Sequence, residues 1–402
     1  MPDRTAQAPA EIDRAILWVS HPALLWRRVG GMRVLERQLF TAARAGVKSL
    51  WIGAQKPADG ACDDLRLPPG LDVFWVPKGE SAVVECAPPY LGLSADHFIH
   101  VETLAHVARQ RYPESVSFDD ASGLGVIQAV LSREDAVSRV KQPLPEGACR
   151  RLEAPLDGDA TIAWLMAAGP KSQDGFMARN FDRHISLAVS RRLLETWVTP
   201  NMMTVASTLL GLVGASFFLG ASRAAYVPGA VLVWLHSVLD GCDGELARVR
   251  FQESAFGSDL DFWGDNLVHL ALFSCLGLGF WRTGNGPHTL ALAAVADLGV
   301  VASAWAAWKH RLRRRAASPV PAPETGVTEE AEGGGFESKL SRLENALAQR
   351  DFIYLLVLLA AVDCVYEFLW AAAVGGLLFF GIMLYLRRVN EHDQAPQPHP
   401  GR

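Results

Sequence analysis

The sequence predicts two domains: a soluble α/β domain over residues 12–165, then an all-α, six-span membrane domain over residues 199–388. Three observations lead there. From Asn201 onward long apolar runs recur with few charges, whereas the preceding part reads as an ordinary soluble domain. The 402 residues are 50% hydrophobic with a mean hydropathy of +0.13, which excludes a disordered chain. The six cysteines (Cys62, Cys86, Cys149, Cys242, Cys275, Cys364) form no CxxC pair and no zinc-type spacing, so a disulfide scaffold is excluded. A net charge of −5 argues against a nucleic-acid partner. The first fourteen residues are polar and carry Asp3, Glu11 and Asp13, so no signal peptide is expected and the α/β domain should face the cytosol.

Ala15–Val19, Ser49–Gly53 and Asp72–Val76 read as short buried strands, with a helix over Met32–Ala45 between the first two. Residues 171–198 are expected to hold an interfacial helix. Over Gly175–Thr196, Phe176, Ile185, Leu187, Val189 and Leu193 alternate with Arg179, Arg183, Arg191 and Arg192, a pattern suited to the membrane surface and also to an ordinary surface helix.

A span needs about 20 mostly apolar residues. Met202–Ala221, Phe262–Trp281 and Thr289–Trp308 qualify, and Val227–Leu239 continues as a helix into the polar stretch Asp240–Arg248. Phe352–Ala373 and Val374–Leu386 complete six spans, the turn between them marked by Asp363 and Glu367. The proline- and glutamate-rich linker 316–335 should be flexible. Lys/Arg flanks are richest before the first span, after the fourth (Lys309 to Arg315) and after the sixth (Arg387, Arg388). Both termini and the stretch between spans two and three are therefore expected on the cytoplasmic side of the inner membrane, surrounded by membrane lipids.

Asp240 and Asp243 are i,i+3 on one helix face, and Asp261 and Asp265 are i,i+4 on the next helix. A short loop makes the two helices antiparallel neighbours, so four carboxylates can converge. Such a cluster repels itself and resists desolvation, and oxygen-only ligands suit Mg²⁺, Mn²⁺ or Ca²⁺. Two divalent cations can grip a pyrophosphate. Gly244 and Ala247 lack bulk beside the carboxylates, and the planar fork of Arg248 suits a phosphate. Singly, each acid has a plainer explanation. Ser258 with Asp261 could cap a helix, and Glu245, Glu253 and Asp259 read as solvated charges.

The stretch Asp240–Asp265 matches every fixed position of D-x2-D-G-x2-A-R-x8-G-x3-D-x3-D and so resembles the CDP-alcohol phosphotransferases over roughly Lys171–Arg388. The resemblance implies two Mg²⁺ or Mn²⁺ ions held by Asp240, Asp243 and Asp261, with Asp265 as general base and further ligand. It implies a CDP pocket shaped by Gly244, Ala247, Arg248 and Gly257. Thr199-Pro200-Asn201 is similar to the family's opening of the first span, with Asn201 either capping or touching cytidine. The implied reaction moves a phosphoalcohol from CDP-diacylglycerol or a CDP-polyol to an alcohol or phosphorylated polyol and releases CMP. Lys309, Arg313, Arg350 and Arg387 are candidates for an acceptor phosphate, though positive-inside bias explains them equally. The family is often dimeric, so a homodimer is expected from the resemblance alone.

Arg28 to Arg37 around Gly30-Gly31, followed by Ala45-Gly46-Val47, resembles Rossmann-like sugar nucleotidyltransferases, with Leu93–Glu102 and Asp96 as their metal-site strand. Such a domain precedes the transferase in bifunctional enzymes that make CDP-inositol and then di-inositol phosphate phosphate, and Lys171–Phe176 resembles their junction. The departure is Val19–Trp26, which has no glycine and contains Pro22 where a phosphate-cradling loop belongs. No late aspartate pair stands near Leu152–Asp159. The domain is therefore expected to be nucleotidyltransferase-like but catalytically degenerate. The rival classes are the bifunctional enzyme, a silent membrane scaffold and an ion-binding transporter. Asp297 has no assigned role, and His269, one turn after Asp265, reads either as a packed histidine or as a support for Asp265.

Overall fold

The computed structural model describes residues 11–57, 60, 62–77, 85–132, 140–152, 157–167, 181–317 and 352–393. Two compact units emerge: Met1–Ala168 together with Val249–Phe251, and Gly169–Arg248 together with Gln252–Arg402.

The first unit is α/β. Its strands are β1 (Arg14–Trp18), β2 (Arg28–Val29), β3 (Met32–Arg33), β4 (Ser49–Ile52), β5 (Asp72–Trp75), β6 (Tyr90–Ser94), β7 (His97–Ile99), β8 (Val116–Asp119), β9 (Gly125–Val130), β10 (Val140–Pro143) and β11 (Cys149–Arg151). Helices α1 (Val34–Arg44), α2 (Val101–Arg109) and α3 (Gly158–Ala167) accompany them. Seven strands form one sheet in the order β10-β8-β9-β6-β1-β4-β5. β1 runs parallel to β4 and β6, while β9 is antiparallel to β6 and β8, so the sheet is mixed. The expected strands β1, β4 and β5 are present. Leu17, Leu50, Ile52, Leu91 and Leu93 from the sheet bury against Leu35 and Leu39 of α1.

Gly30 and Gly31 are both left-handed (φ 59° and 76°) and close the two-residue turn of the β2–β3 hairpin, in which Val29 faces Met32. Arg37, buried on α1, donates to the carbonyl of Val29 and lies over the Phe98 ring, so it packs within the unit. Glu36 caps α1 by accepting from the Arg33 N–H at 2.9 Å. Pro22–Trp26 is a 3₁₀ turn that buries Leu24 and Leu25.

The expected strand Leu93–Glu102 is corrected. β6 ends at Ser94, Ala95 and Asp96 form a turn, β7 follows, and α2 begins at Val101. Asp96 stands 3.7 Å from His21 in that turn. Of the stretch near Leu152–Asp159, residues 153–156 lie outside the described residues. Asp157 accepts from the Ala160 N–H and acts as a helix cap.

His97 ties this unit together. It is buried, with Nδ1 3.1 Å from Ser94 Oγ and Nε2 3.2 Å from Asp120 Oδ2. Asp120 also accepts from the Ser122 N–H and hydroxyl and from the Leu124 N–H. Burial alone would raise the Asp120 carboxyl, but these hydrogen bonds, led by Ser122 Oγ, outweigh it and hold the group at about 2.

The second unit is helical: α4 (Arg183–Leu193), α5 (Pro200–Phe217), α6 (Arg223–Arg250), α7 (Ala255–Arg282), α8 (His288–Ala317), α9 (Phe352–Ala361) and α10 (Val365–Asp393). Pro200–Gly220, Arg223–Arg250 and His288–Arg313 are long and apolar enough to cross a membrane. α7 is as long as α6 but carries Asp259, Asp261 and Asp265 near its start, and α9 and Val365–Leu378 are shorter apolar helices. The turn expected near Asp363 and Glu367 is present, whereas the span bounds at Ala373 and Val374 are corrected: α10 runs unbroken through them. The break falls at Val362–Cys364, where Asp363 takes a left-handed φ of 64°.

Small residues let these helices approach closely. A Cβ on Gly211 of α5 would meet Val268 of α7 at 2.8 Å and His236 of α6 at 2.9 Å, and one on Gly264 would meet Thr208 at 2.5 Å. Phe218, Tyr226, Leu272, Leu276, Leu356 and Leu369 fill the core between the helices. The start of α7 is tied to the end of α8, where Arg315 makes a bidentate pair with Asp259 (2.8 and 3.0 Å) and Arg311 donates to the Ser258 carbonyl and hydroxyl. Asp259 is thus ion-paired, which corrects its expectation as a solvated charge.

The Asp120 hub yields a pH prediction. Its folded pKa of about 2 lies below the ordinary 3.8, so its contribution to stability is complete above the ordinary value and is lost as pH falls through about 2. Hydrogen–deuterium exchange on the full chain at pH 6 should show weaker protection across residues 116–130 in Asp120→Asn than in the unaltered chain. The difference should shrink toward pH 2.5. Equal protection at pH 6 would remove Asp120 from this role.

Candidate active site

The site is built on the reversal between α6 and α7. Gln252 N–H returns to the Ala247 carbonyl at 2.8 Å, Phe251 adopts φ 49°, and Ser254 caps α7 by accepting from the Gly257 N–H at 3.0 Å. The cap is Ser254, which sets aside the plainer reading of Ser258 with Asp261 as a capping pair. This short connection brings the Asp240 end of α6 opposite the first turns of α7.

One carboxylate oxygen from each of Asp240, Asp261 and Asp265 lies within 4.8 Å of the others. Asp240 is buried, whereas the Asp265 side chain is 32% exposed and open to an incoming hydroxyl. Burial and then the charges of Asp240, Asp243 and Asp265 push the Asp261 carboxyl up. Asp243 does not join the trio. Its carboxylate accepts from the Thr204 hydroxyl on α5 and from the Gly244 N–H.

The nucleotide candidates fall into two pairs. A Cβ on Gly244 would stand 3.2 Å from the Arg248 guanidinium, so the missing side chain gives that fork its place. A Cβ on Gly257 would stand 2.9 Å from Asn201 Oδ1, which keeps that position free of bulk beside the amide. The cap of α5 is Thr199, accepting from the Met202 N–H at 3.3 Å with Pro200 in the first turn, so Asn201 is not the cap. Ala247 is buried on α6.

Two neighbours were not anticipated. His236 Nε2 lies 3.5 Å from Asp265 Oδ1, and Thr204 holds Asp243. The i,i+4 spacing of His236 and Asp240 was a legible signal for the first. His269, one turn after Asp265 on α7, also packs near the Phe352 ring, with centroids 5.4 Å apart. Glu245 also departs from expectation: it is partly buried and accepts from Ser186 on α4 at 3.0 Å. α4 buries Ser186 and Ser190, while Asp182 just before it accepts from Trp234 at 3.2 Å and from the Tyr354 hydroxyl. The earlier part of the expected interfacial helix, residues 171–180, lies outside the described residues.

Among the acceptor candidates, Lys309 and Arg313 are exposed on α8. Arg387 lies on α10, and Arg350 and linker residues 318–335 lie outside the described residues. Asp297 on α8 accepts from Ser274 on α7 at 2.7 Å, which gives it a helix-pairing role.

Residues 197–362 match the family model of the CDP-alcohol phosphatidyltransferases. The "Bifunctional IPC transferase and DIPP synthase" of Aquifex aeolicus is 27% identical over 222 residues, 51% of this chain and 47% of that protein. The protein of the same name from Thermococcus kodakarensis is 37% identical over 138 residues, 34% of this chain and 30% of its own. The matched stretches thus span less than half the length of either relative. The crystal structure of phosphatidylinositol phosphate synthase from Mycobacterium tuberculosis with CDP-DAG bound aligns with 50% of this chain and 93% of its own, at 20% identity and a TM-score of 0.34. The match over residues 197–362 contains all four aspartates, Asn201, Gly244, Ala247, Arg248 and Gly257, so the stretch that is similar to the CDP-alcohol phosphatidyltransferases includes the whole candidate site.

Proposed function

We propose that the helical unit is an integral-membrane transferase that passes a phosphoalcohol from a CDP-alcohol to an acceptor alcohol and releases CMP. The observation that carries this reading is the Asp240–Asp261–Asp265 oxygen cluster, with Gly244–Arg248 on the same helix as Asp240 and Asn201–Gly257 beside the cap of α7. The donor set fits hard divalent cations, because it is all oxygen and its mutual repulsion needs an offset. Asp240, Asp261 and Asp265 would hold them, with Asp243 kept ready by Thr204. Bound there, Mg²⁺ or Mn²⁺ would supply charge neutralisation on the pyrophosphate.

The chain's own groups divide the remaining work. Arg248 takes a phosphate oxygen, and the absence of side chains at Gly244 and Gly257 admits the nucleotide. The acceptor hydroxyl attacks the β-phosphorus, a new P–O bond forms, the bond to CMP breaks, and CMP leaves with the electron pair. Asp265, partly open to solvent and held by His236, receives the hydroxyl proton. His236 holds Asp265 from the protein side. Donors of the CDP-diacylglycerol or CDP-polyol class, a phosphorylated polyol acceptor met by Lys309, Arg313, Arg350 and Arg387, and a homodimer belong to the same reading.

The topology we infer has six spans over residues 199–388, preceded by the interfacial segment 171–198, with linker 316–335, both termini and the aspartates on the cytoplasmic side. Three helices long enough to span and the Lys/Arg flanks of Lys309–Arg315 support it. The α/β unit, over residues 12–165, we read as nucleotidyltransferase-like and silent. The stretch Pro22–Trp26 buries two leucines in a 3₁₀ turn, where a triphosphate would need glycines and free N–H groups. The bifunctional reading draws on the resemblance of the α/β unit and of Lys171–Phe176 to bifunctional enzymes, and on the relatives from Aquifex aeolicus and Thermococcus kodakarensis. A silent scaffold and a transporter are disfavoured by the oxygen cluster beside Arg248.

Incubation of the full chain with CDP-diacylglycerol or CDP-inositol, an acceptor and Mg²⁺ should release CMP. EDTA should abolish release, and Mg²⁺ or Mn²⁺ should restore it. Full turnover after rigorous chelation would refute the metal assignment. Asp265→Asn should lower the rate by ~10²–10⁴-fold, the range of general acid–base catalysis. Near-normal turnover in that variant would take the base role from Asp265. Supplied with CTP and inositol phosphate, the full chain should release no pyrophosphate, and polyol-dependent release would make the bifunctional reading the better one.

A further inference from the structure

At the other end of the helical unit lies a second polar site. Tyr226 and Asp240 are 14 residues apart on α6, about 21 Å at the helical rise. Around Tyr226 a cleft of about 600 Å³ opens between the end of α5, the starts of α6, α8 and α10, and the end of α7. Its polar lining comes from Arg223, Tyr226, Thr283, Asn285, His288 and Asp363.

Several independent features mark this cleft as built for a ligand. Tyr226 is 5% exposed, with its ring packed on Phe218 at 5.9 Å and Phe280 at 6.0 Å. Its hydroxyl makes no hydrogen bond among the described residues, and Tyr226 lines the cleft, where a ligand or water can supply one. The backbone is held in unusual conformations here. Among the described residues the non-glycine positions with left-handed backbone are Ala221, Phe251 and Asp363, and two of these three border the cleft.

The charges are mixed. The Arg223 guanidinium, anchored by donating to the Ala361 carbonyl at 2.8 Å, stands with His288, whose Nε2 lies 2.9 Å from the Tyr366 hydroxyl. The first turns of α6, α8 and α10 all open here and add partial positive charge. Asp363 supplies the opposing carboxylate. A purely anionic guest would meet Asp363, and a purely cationic guest would meet Arg223 and three helix starts. A guest with a phosphate and an amine satisfies both. Beside the cleft, Val227, Trp281 and Val362 are exposed, as suits acyl chains and an interfacial tryptophan.

We propose that this cleft binds the headgroup of an amine-bearing phospholipid, with the phosphate toward Arg223, His288 and the helix starts and the ammonium toward Asp363 and Tyr226. The assignment rests on the helical unit being embedded in a bilayer and not on its transfer chemistry. The test is therefore separable from the activity assay.

The full chain, delipidated in detergent, is titrated with dihexanoyl-phosphatidylethanolamine by calorimetry. Saturable binding is expected. Tyr226→Phe keeps the ring packing and removes only the hydroxyl, so affinity should fall by roughly two- to tenfold, the worth of one hydrogen bond. Asp363→Asn keeps a residue tolerant of left-handed backbone and should weaken the ethanolamine lipid while strengthening dihexanoyl-phosphatidylglycerol. Neither substitution should alter CMP release. The proposal is overturned by absent saturable binding, by equal or tighter binding of the glycerol lipid to the unaltered chain, or by affinity indifferent to both substitutions. Free O-phosphoethanolamine should bind more weakly, and equal affinity would overturn the lipid assignment.

Discussion

Mutual repulsion among carboxylates is the constraint around which the helical unit is organised. Asp240, Asp261 and Asp265 bring oxygens within 4.8 Å of one another in a partly buried setting, which no isolated helix would tolerate. The chain forces the approach by local means. A left-handed Phe251 reverses the backbone, the Gln252 N–H closes the end of α6, and Ser254 caps α7. Arg311 and Arg315 then clamp the start of α7 to α8. The start of α7 is thus held by capping and ion pairs that lie outside the carboxylate cluster.

The helices can deliver those carboxylates because the residues between them are small. Gly211 makes room for both Val268 and His236, so the glycine that permits close packing of α5 also lets the imidazole reach Asp265. Gly264, one residue before Asp265, meets Thr208 of the same helix α5. Thr204, one turn earlier on α5, anchors Asp243. One face of α5 therefore serves packing and site support together, and its spacing along the helix is what makes the two compatible.

The α/β unit uses polar groups differently. Ser94, His97 and Asp120 make a chain of hydrogen bonds, but His97 is almost wholly enclosed, and Asp120 is saturated by turn N–H groups. That arrangement pins β6, β7 and the β8–β9 turn to one another. Similarly, Gly30-Gly31 and Arg37 sit in a hairpin turn and a buried contact.

The sequence by itself determined the division into an α/β and a helical unit, the strands β1, β4 and β5, the helical continuity of α6 through Asp240, and the pairing of Asp240 with Asp261 and Asp265. All of these follow from periodicity and short-range spacing, which the chain's local geometry enforces. Tertiary structure decided what depends on contacts between distant segments. It set Asp243 against Thr204, His236 beside Asp265, Glu245 under Ser186 and Asp259 against Arg315. It also split Leu93–Glu102 at Ala95-Asp96 and carried α10 unbroken through Ala373 and Val374. Hydrophobic pattern does not mark such features, because a polar side chain's partner is chosen by the packing of helices and strands far apart in sequence.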